Sequence, residues 1–127
     1  MKLGELSEND RLYLHYTWLT SLRKTYACLP DQVYRETISA AIWTNLERSE
    51  LAVHHAENGL IVGWAAVEEP DILHYVFVKS LYRQMGVAKN LLAQWHISCY
   101  TCYTEWWPPV AAKLVPGATY APWKFRR

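Results

Sequence analysis

The hexapeptide Arg83-Gln84-Met85-Gly86-Val87-Ala88 combines a fixed positive charge with two small residues at the start of a predicted helix. It follows an apolar run that is predicted to be a buried strand. A helix that begins there presents free backbone N–H groups and the positive end of its dipole, which favour phosphate oxygens. Gly86 has no Cβ to block such a group, Ala88 is nearly as small, and Arg83 adds charge. The pattern predicts a diphosphate site, and the alternative is a plain turn.

His74 is the best candidate for proton transfer near pH 7, because it lies in mid-strand with the same strand parity as Val76 and Val78. The alternative is a hydrogen-bonded core histidine. Glu68 and Glu69 end the preceding strand and are further candidates, although carboxylates at strand ends are usually solvated.

The cysteines and paired histidines do not form a convincing metal site. On a strand, Cys99 and Cys102 point to opposite faces, as do His54 and His55, so we predict no metal. With Cys28 the cysteines are odd in number, which argues against a disulfide framework.

Composition narrows the function classes. The 127 residues predict one domain, spanning 1–127, and the 13 basic and 12 acidic residues leave a formal charge of +1. This balance gives no global reason to expect binding to nucleic acid or a membrane. The chain has no secretory signal pattern and no apolar run of the ~20 residues that span a bilayer, so we expect a soluble, cytoplasmic protein.

The periodicity predicts an α/β (α+β) domain with a mixed central sheet flanked by helices, in the order β-α-α-β-β-β-α-β-α-β. Ser7 is the predicted cap of the first helix and Asp31 of the second. Six residues form the core stripe of the second helix: Tyr34, Ile38, Ala41, Ile42, Asn45 and Leu46. The predicted strands are 2–6, 50–57, 60–69, 72–78, 96–107 and a final strand or arm at 118–125; the first helix covers 8–23 and the last 108–113.

The stretch YVFVKSLYRQMGVAKNLLA, residues 75–93, resembles motif A of the GNAT N-acetyltransferase family. The two helices and the three-strand meander before it fit that family, over roughly residues 2–95. The resemblance implies that backbone amides of residues 84–88 grip the pyrophosphate of acetyl-CoA. It also implies that Phe77 and Val78 pair their backbone with the pantetheine arm.

The same resemblance implies acetyl transfer to an amine, in which a tyrosine often protonates the leaving thiolate. Here Lys113 stands at the tyrosine position of the Tyr-x-x-x-Gly pattern that ends at Gly117, and Tyr103 or Tyr120 are the candidate replacements. The member is short and divergent at its C-terminus, a form compatible with a phage or prophage type. The acceptor alternatives are a small-molecule amine, a protein terminus or lysine, and a modified nucleobase such as some phage-encoded relatives act on.

Two other function classes stay open. One is an inactive GNAT-fold binding protein, which the missing tyrosine favours. The other is a nucleic-acid or protein adaptor that binds through an aromatic C-terminal tail. These aromatic residues either complete the hydrophobic core or form a substrate platform or a homodimer contact. Beside basic Lys124, Arg126 and Arg127, this tail could also stack on a nucleotide. The aromatic residues of the tail are Trp106, Trp107, Tyr120, Trp123 and Phe125.

Overall fold

The computed structural model describes residues 1–102 and 107–126. Two long helices precede an antiparallel meander, and a short helix, a short strand, a fourth helix and a last short strand follow. The bounds are α1 Glu8–Leu22, α2 Asp31–Arg48, β1 Glu50–His55, β2 Ile61–Glu68, β3 Ile72–Val78, α3 Val87–Leu92, β4 Cys99–Tyr100, α4 Trp107–Leu114 and β5 Thr119–Tyr120.

The strands form one mixed sheet in the order β1-β2-β3-β4-β5. The first three strands are antiparallel, as the apolar runs and tight turns predict, whereas β4 pairs with β3 and β5 with β4 in parallel. The predicted α/β class and mixed sheet are therefore confirmed.

Helices cover both faces of this sheet. One buried cluster joins α1 and α2 to one face, and all six residues of the predicted α2 stripe are buried. A second cluster joins α3 and α4 to the other face. The sheet is therefore sandwiched, and its C-terminal edge is the only part built from very short described strands.

Two details of the sequence prediction for the N-terminal part of the chain are wrong. Residues 2–6 are not a strand, because Leu3–Glu5 form a 3-10 helix, and the Glu5 carboxylate accepts from the Lys2 amide. Pro30, not Asp31, is the N-cap of α2, whereas Ser7 does cap α1 by accepting from the Asp10 amide.

The predicted strand 96–107 is wrong in its extent. Only Cys99–Tyr100 is extended in a ladder, residues 103–106 lie outside the described chain, and Trp107 already belongs to α4. Two prolines follow Trp107, and proline suits the first turn of a helix, where its missing N–H costs no hydrogen bond.

Gly63 in β2 allows α3 to approach the sheet closely. A Cβ on Gly63 would lie 2.9 Å from Cγ1 of Val87 and 3.1 Å from the carbonyl oxygen of Phe77. Because Val87 is the first residue of α3, Gly63 sets how near the start of that helix lies to the sheet.

Candidate active site

The strands β3 and β4 separate soon after they meet. Their ladder contains only Ile72 and Leu73 of β3, and it ends where the Thr101 amide donates to the Leu73 carbonyl at 3.1 Å. The rest of β3, up to Val78, has no strand partner on that side among the described residues. Among the described residues, the β4 side of β3 is therefore open from the end of this ladder to Val78, and we call this open edge the cleft.

The register of β2 and β3 shows which backbone groups face this cleft. The Lys79 amide donates to the Val62 carbonyl at 2.8 Å, and Phe77 stands opposite Trp64. Since an antiparallel strand directs alternate residues to opposite neighbours, Val76 and Val78 direct their backbone groups away from β2. Phe77 directs its own groups into the β2 ladder.

The turn between β3 and α3 contains two residues with left-handed φ. Gln84 has φ 65° and Gly86, the N-cap of α3, has φ 80°. A Cβ on Gly86 would meet no atom within 4 Å. The positive φ therefore favours glycine at this position, and lack of space does not. The helix predicted to open within the hexapeptide 83–88 begins at Val87, directly after Gly86.

The first helical hydrogen bond of α3 runs from the Asn90 amide to the Gly86 carbonyl at 3.0 Å. The amides of Val87, Ala88 and Lys89 therefore have no acceptor within the helix. Arg83 donates from Nε to the Val78 carbonyl at 3.0 Å, which ties the turn to the end of β3. Positive charge thus lies close to amides that have no acceptor within the helix, at the end of β3.

The other predicted cofactor residues differ in exposure. The Met85 side chain is exposed, whereas Val87 is buried against the sheet. Phe77 is half-buried and packs edge-on against Tyr13 of α1, with ring centroids 6.3 Å apart.

His74 does not share a face with Val76 and Val78, so that prediction is wrong. A β-bulge interrupts the pairing, since Ala66 stands opposite Tyr75 and Val67 opposite Leu73. The extra residue shifts the alternation, and the His74 ring lies 6.4 Å from Trp18 of α1.

Both ring nitrogens of His74 are engaged. Nε2 lies 3.1 Å from Oε1 of Glu68, and Nδ1 lies 2.8 Å from the Thr101 hydroxyl. Glu68 also binds Arg126, with 3.4 Å between Oε2 and Nη2. A carboxylate only accepts, so the neutral ring donates from Nε2 to Glu68 and accepts at Nδ1 from Thr101.

The pKa values agree with this arrangement. Burial lowers the pKa of His74 below its ordinary range, and the Glu68 carboxylate only partly offsets that effect. For Glu68, burial opposes ionisation, but the hydrogen bonds from His74 and Arg126 outweigh it and lower its pKa. At neutral pH the network therefore contains a neutral imidazole and an ionised carboxylate. The remaining candidate, Glu69, is exposed.

A small cavity of about 30 Å³ lies where β3 and β4 diverge. It is lined by residues 73–76 of β3 and by Tyr100, Cys102 and Trp107. Burial raises the pKa of the Cys102 thiol to about 11, so this sulfur is a protonated, weakly polar wall of the cavity. Among the described residues no cluster of His, Cys, Asp or Glu is arranged to hold a metal ion.

Of the two candidate tyrosines, Tyr120 is described and lies in β5, at the C-terminal edge of the sheet. The Tyr120 ring stacks on Tyr100 at 5.6 Å between centroids, and Tyr120 is 42% exposed. Tyr103 lies outside the described residues. Lys113 is exposed on α4.

Sequence reasoning missed one residue of this region, Thr101, and placed two others, Arg126 and Trp107, in a different role. Thr101 and Arg126 join the His74 network through contacts distant in sequence, so no local pattern indicated them. Trp107 was assigned to the predicted strand 96–107 and to the aromatic tail, one residue before the helix predicted at 108–113, and it is the first residue of α4.

A protein-family model described as "Acetyltransferase (GNAT) domain" matches residues 19–109. The match supports the family in general and gives no support to a phage or prophage type. Comparison with curated proteins and with solved structures finds no significant match. No helix in the described ranges is long and apolar enough to cross a membrane.

Proposed function

This chain belongs to the GNAT acetyltransferase family, and we propose on that premise that it transfers an acetyl group from acetyl-CoA to an amine. The observation that carries the proposal is the open edge of β3 beside the turn 83–86. A cytoplasmic location is part of the proposal.

The cofactor is proposed to lie along this edge. Arg83 and the amides of residues 84–88 bind the pyrophosphate, since free amides at a helix start favour anions. Val78 and Val76 pair with the pantetheine amides, because their backbone groups face the cleft. The ladder alternation moves this role from Phe77 to Val76.

The proposed reaction is direct attack of the amine nitrogen on the thioester carbonyl. A C–N bond forms, the C–S bond breaks, the amine loses a proton and the thiolate gains one. Tyr120 is the described candidate for the acid, because its ring stacks on Tyr100 of the cleft wall. Tyr103 stays an alternative prediction. His74 would take a proton only at Nδ1, through the Thr101 hydroxyl, because Nε2 already carries a proton and donates it to Glu68.

A thiol-release assay with acetyl-CoA and a panel of small amines, peptides and nucleobase amines tests the proposal. Thiol release that depends on the amine supports transfer, and a Tyr120→Phe variant should then lower kcat about 10²-fold or more if Tyr120 is the acid. Binding of acetyl-CoA without release for any amine would support the inactive GNAT-fold alternative.

A second candidate function concerns the groove between α2 and the C-terminal arm. The groove measures about 680 Å³ and includes Arg48, Arg126 and Trp123, which is 76% exposed. Two guanidinium groups beside an exposed indole suit an anionic planar ligand such as a nucleotide or modified base. The same surface could instead contact a second copy. Quenching of tryptophan fluorescence by mononucleotides would support the nucleotide ligand. No quenching, together with a mass in solution that rises with protein concentration, would support a homodimer.

A further inference from the structure

The indole N–H of Trp107 is a buried donor without a hydrogen-bond partner among the described residues. Trp107 is 9% exposed and packs edge-on against Tyr100, with centroids 5.5 Å apart. A buried N–H that loses water without a replacement is rare in folded proteins, because it forfeits its hydrogen bond. A bound ligand that carries an acceptor would supply the missing hydrogen bond.

The position of Trp107 indicates which ligand group that acceptor belongs to. Trp107 lines the cavity between β3 and β4, which at about 30 Å³ admits only a few heavy atoms. Three other polar side chains of its wall are less available, since His74 is engaged at both nitrogens, the Tyr75 hydroxyl contacts Ser21, and Cys102 is a weakly polar thiol. The indole N–H and the Tyr100 hydroxyl are therefore the donors left for a small ligand group, and only the indole N–H is buried without a partner among the described residues.

We propose that Trp107 donates its indole N–H to the carbonyl oxygen of the acyl thioester bound between β3 and β4. This inference rests on the proposed function. A carbonyl oxygen is a strong acceptor, and it gains negative charge when the amine attacks, so a fixed donor stabilises it further in the transition state. Indole is a donor only and keeps its proton. Trp107 therefore binds and polarises the carbonyl but does not replace the acid that protonates the thiolate.

Trp18 offers a matched comparison. Its indole N–H is likewise buried without a hydrogen-bond partner among the described residues, and the Cys102 thiol is the polar group beside it. The Trp18 ring, however, is stacked on Tyr75 inside the α1 and α2 cluster and does not line the cavity. Loss of Trp18 therefore changes the packing behind the cavity wall but removes no side chain that lines the cavity.

The test compares CoA with acetyl-CoA, because only the latter carries the carbonyl. Calorimetric titration of Trp107→Phe should show acetyl-CoA affinity about five- to tenfold lower, the effect of one lost hydrogen bond, with CoA affinity unchanged. Trp18→Phe should leave the ratio of the two affinities as in the wild type. Equal weakening of both ligands by Trp107→Phe would make its role structural and overturn this inference alone. Failure of the wild-type chain to bind either ligand would overturn the proposed function as well.

A second measurement is made on the wild-type chain. The indole ¹⁵N–¹H signal of Trp107 should move downfield when acetyl-CoA is added to the wild-type chain, and CoA should not move it. If Trp107→Phe does not fold, benzothienylalanine at position 107 identifies the signal, since it keeps the ring and lacks the N–H. An identical response to both ligands would contradict the proposal.

Discussion

The guanidinium of Arg83 donates from Nε to the backbone carbonyl of Val78, 3.0 Å away, and so links the turn before α3 to the end of β3. The contact has two consequences for the site. It holds the turn and places the remaining N–H donors of Arg83 at the mouth of the cleft. It also occupies the Val78 carbonyl, which leaves the Val78 amide and the Val76 groups for a ligand.

Arg83→Gln should weaken acetyl-CoA binding about tenfold, because it removes a charge-assisted contact with the diphosphate and loosens the turn. Arg83→Lys keeps the charge but lacks the planar guanidinium group. Its acetyl-CoA affinity should lie between those of the wild type and Arg83→Gln. Calorimetric titration measures both. Arg35→Gln on α2 makes the same change in net charge away from the cleft and is the control. Equal losses of acetyl-CoA affinity in Arg35→Gln and Arg83→Gln would show that net charge, and not the position of Arg83, causes the effect.

Gly63→Ala should destabilise the fold by about 1–3 kcal/mol, because its Cβ would overlap Val87 and force α3 outward. Acetyl-CoA affinity should fall with it, since Val87 begins α3. Urea unfolding and titration measure the two effects. Gly4→Ala is the control, as a Cβ at Gly4 meets no atom within 4 Å. Equal stability of the two variants would show that α3 does not need this close approach.

The sequence predicted the meander and the α2 stripe well, because local periodicity and turn residues determine those elements. The bulge at His74 was not predictable in the same way. It depends on how β2 and β3 pair, and a single extra residue reverses which face a side chain occupies. The shortness of β4 also depends on distant contacts, and the proline signal after Trp107 competed with a strong β composition.

Asn45 connects α2 to the end of the chain. Its buried amide donates to the Arg126 carbonyl at 2.8 Å, and its Oδ1 accepts from the Arg126 amide at 3.2 Å. Asn45→Ala should therefore cost about 2 kcal/mol in the free energy of unfolding. It should also release Phe125, which packs on Trp18. Gln32→Ala, which removes an exposed contact with Glu36, should change stability by less than about 0.5 kcal/mol. An unfolding midpoint of Asn45→Ala equal to that of the wild type would contradict this role.

The stability of the chain should fall as the pH drops from 7 to 5. The pKa of His74 is lower in the folded state than the ordinary value of 6.5, so the unfolded chain takes up the proton first and acid favours unfolding. His15 on α1 contributes in the same direction, because burial lowers its pKa. The pKa of Glu68 is also lowered, and its contribution is lost at more acidic pH, below the ordinary value of 4.5.

Urea unfolding at several pH values measures this dependence. His74→Gln should reduce the slope between pH 7 and 5, and His15→Gln should reduce it separately. His54→Gln, at an exposed position of β1, should retain the full slope. A full slope in His74→Gln would show that His74 is protonated equally in both states.

The most direct test of the central claim, that the β3 edge and the turn before α3 bind acetyl-CoA, is a thermal-shift titration of three chains: wild type, Gly86→Leu and Gly117→Leu. Gly86 and Gly117 have φ of 80° and 82° and open surroundings, so both substitutions carry a similar conformational cost. Acetyl-CoA should raise the Tm of the wild type and of Gly117→Leu with increasing ligand concentration, and it should not raise that of Gly86→Leu. No stabilisation of the wild type at millimolar acetyl-CoA, or equal stabilisation of all three, would contradict the account.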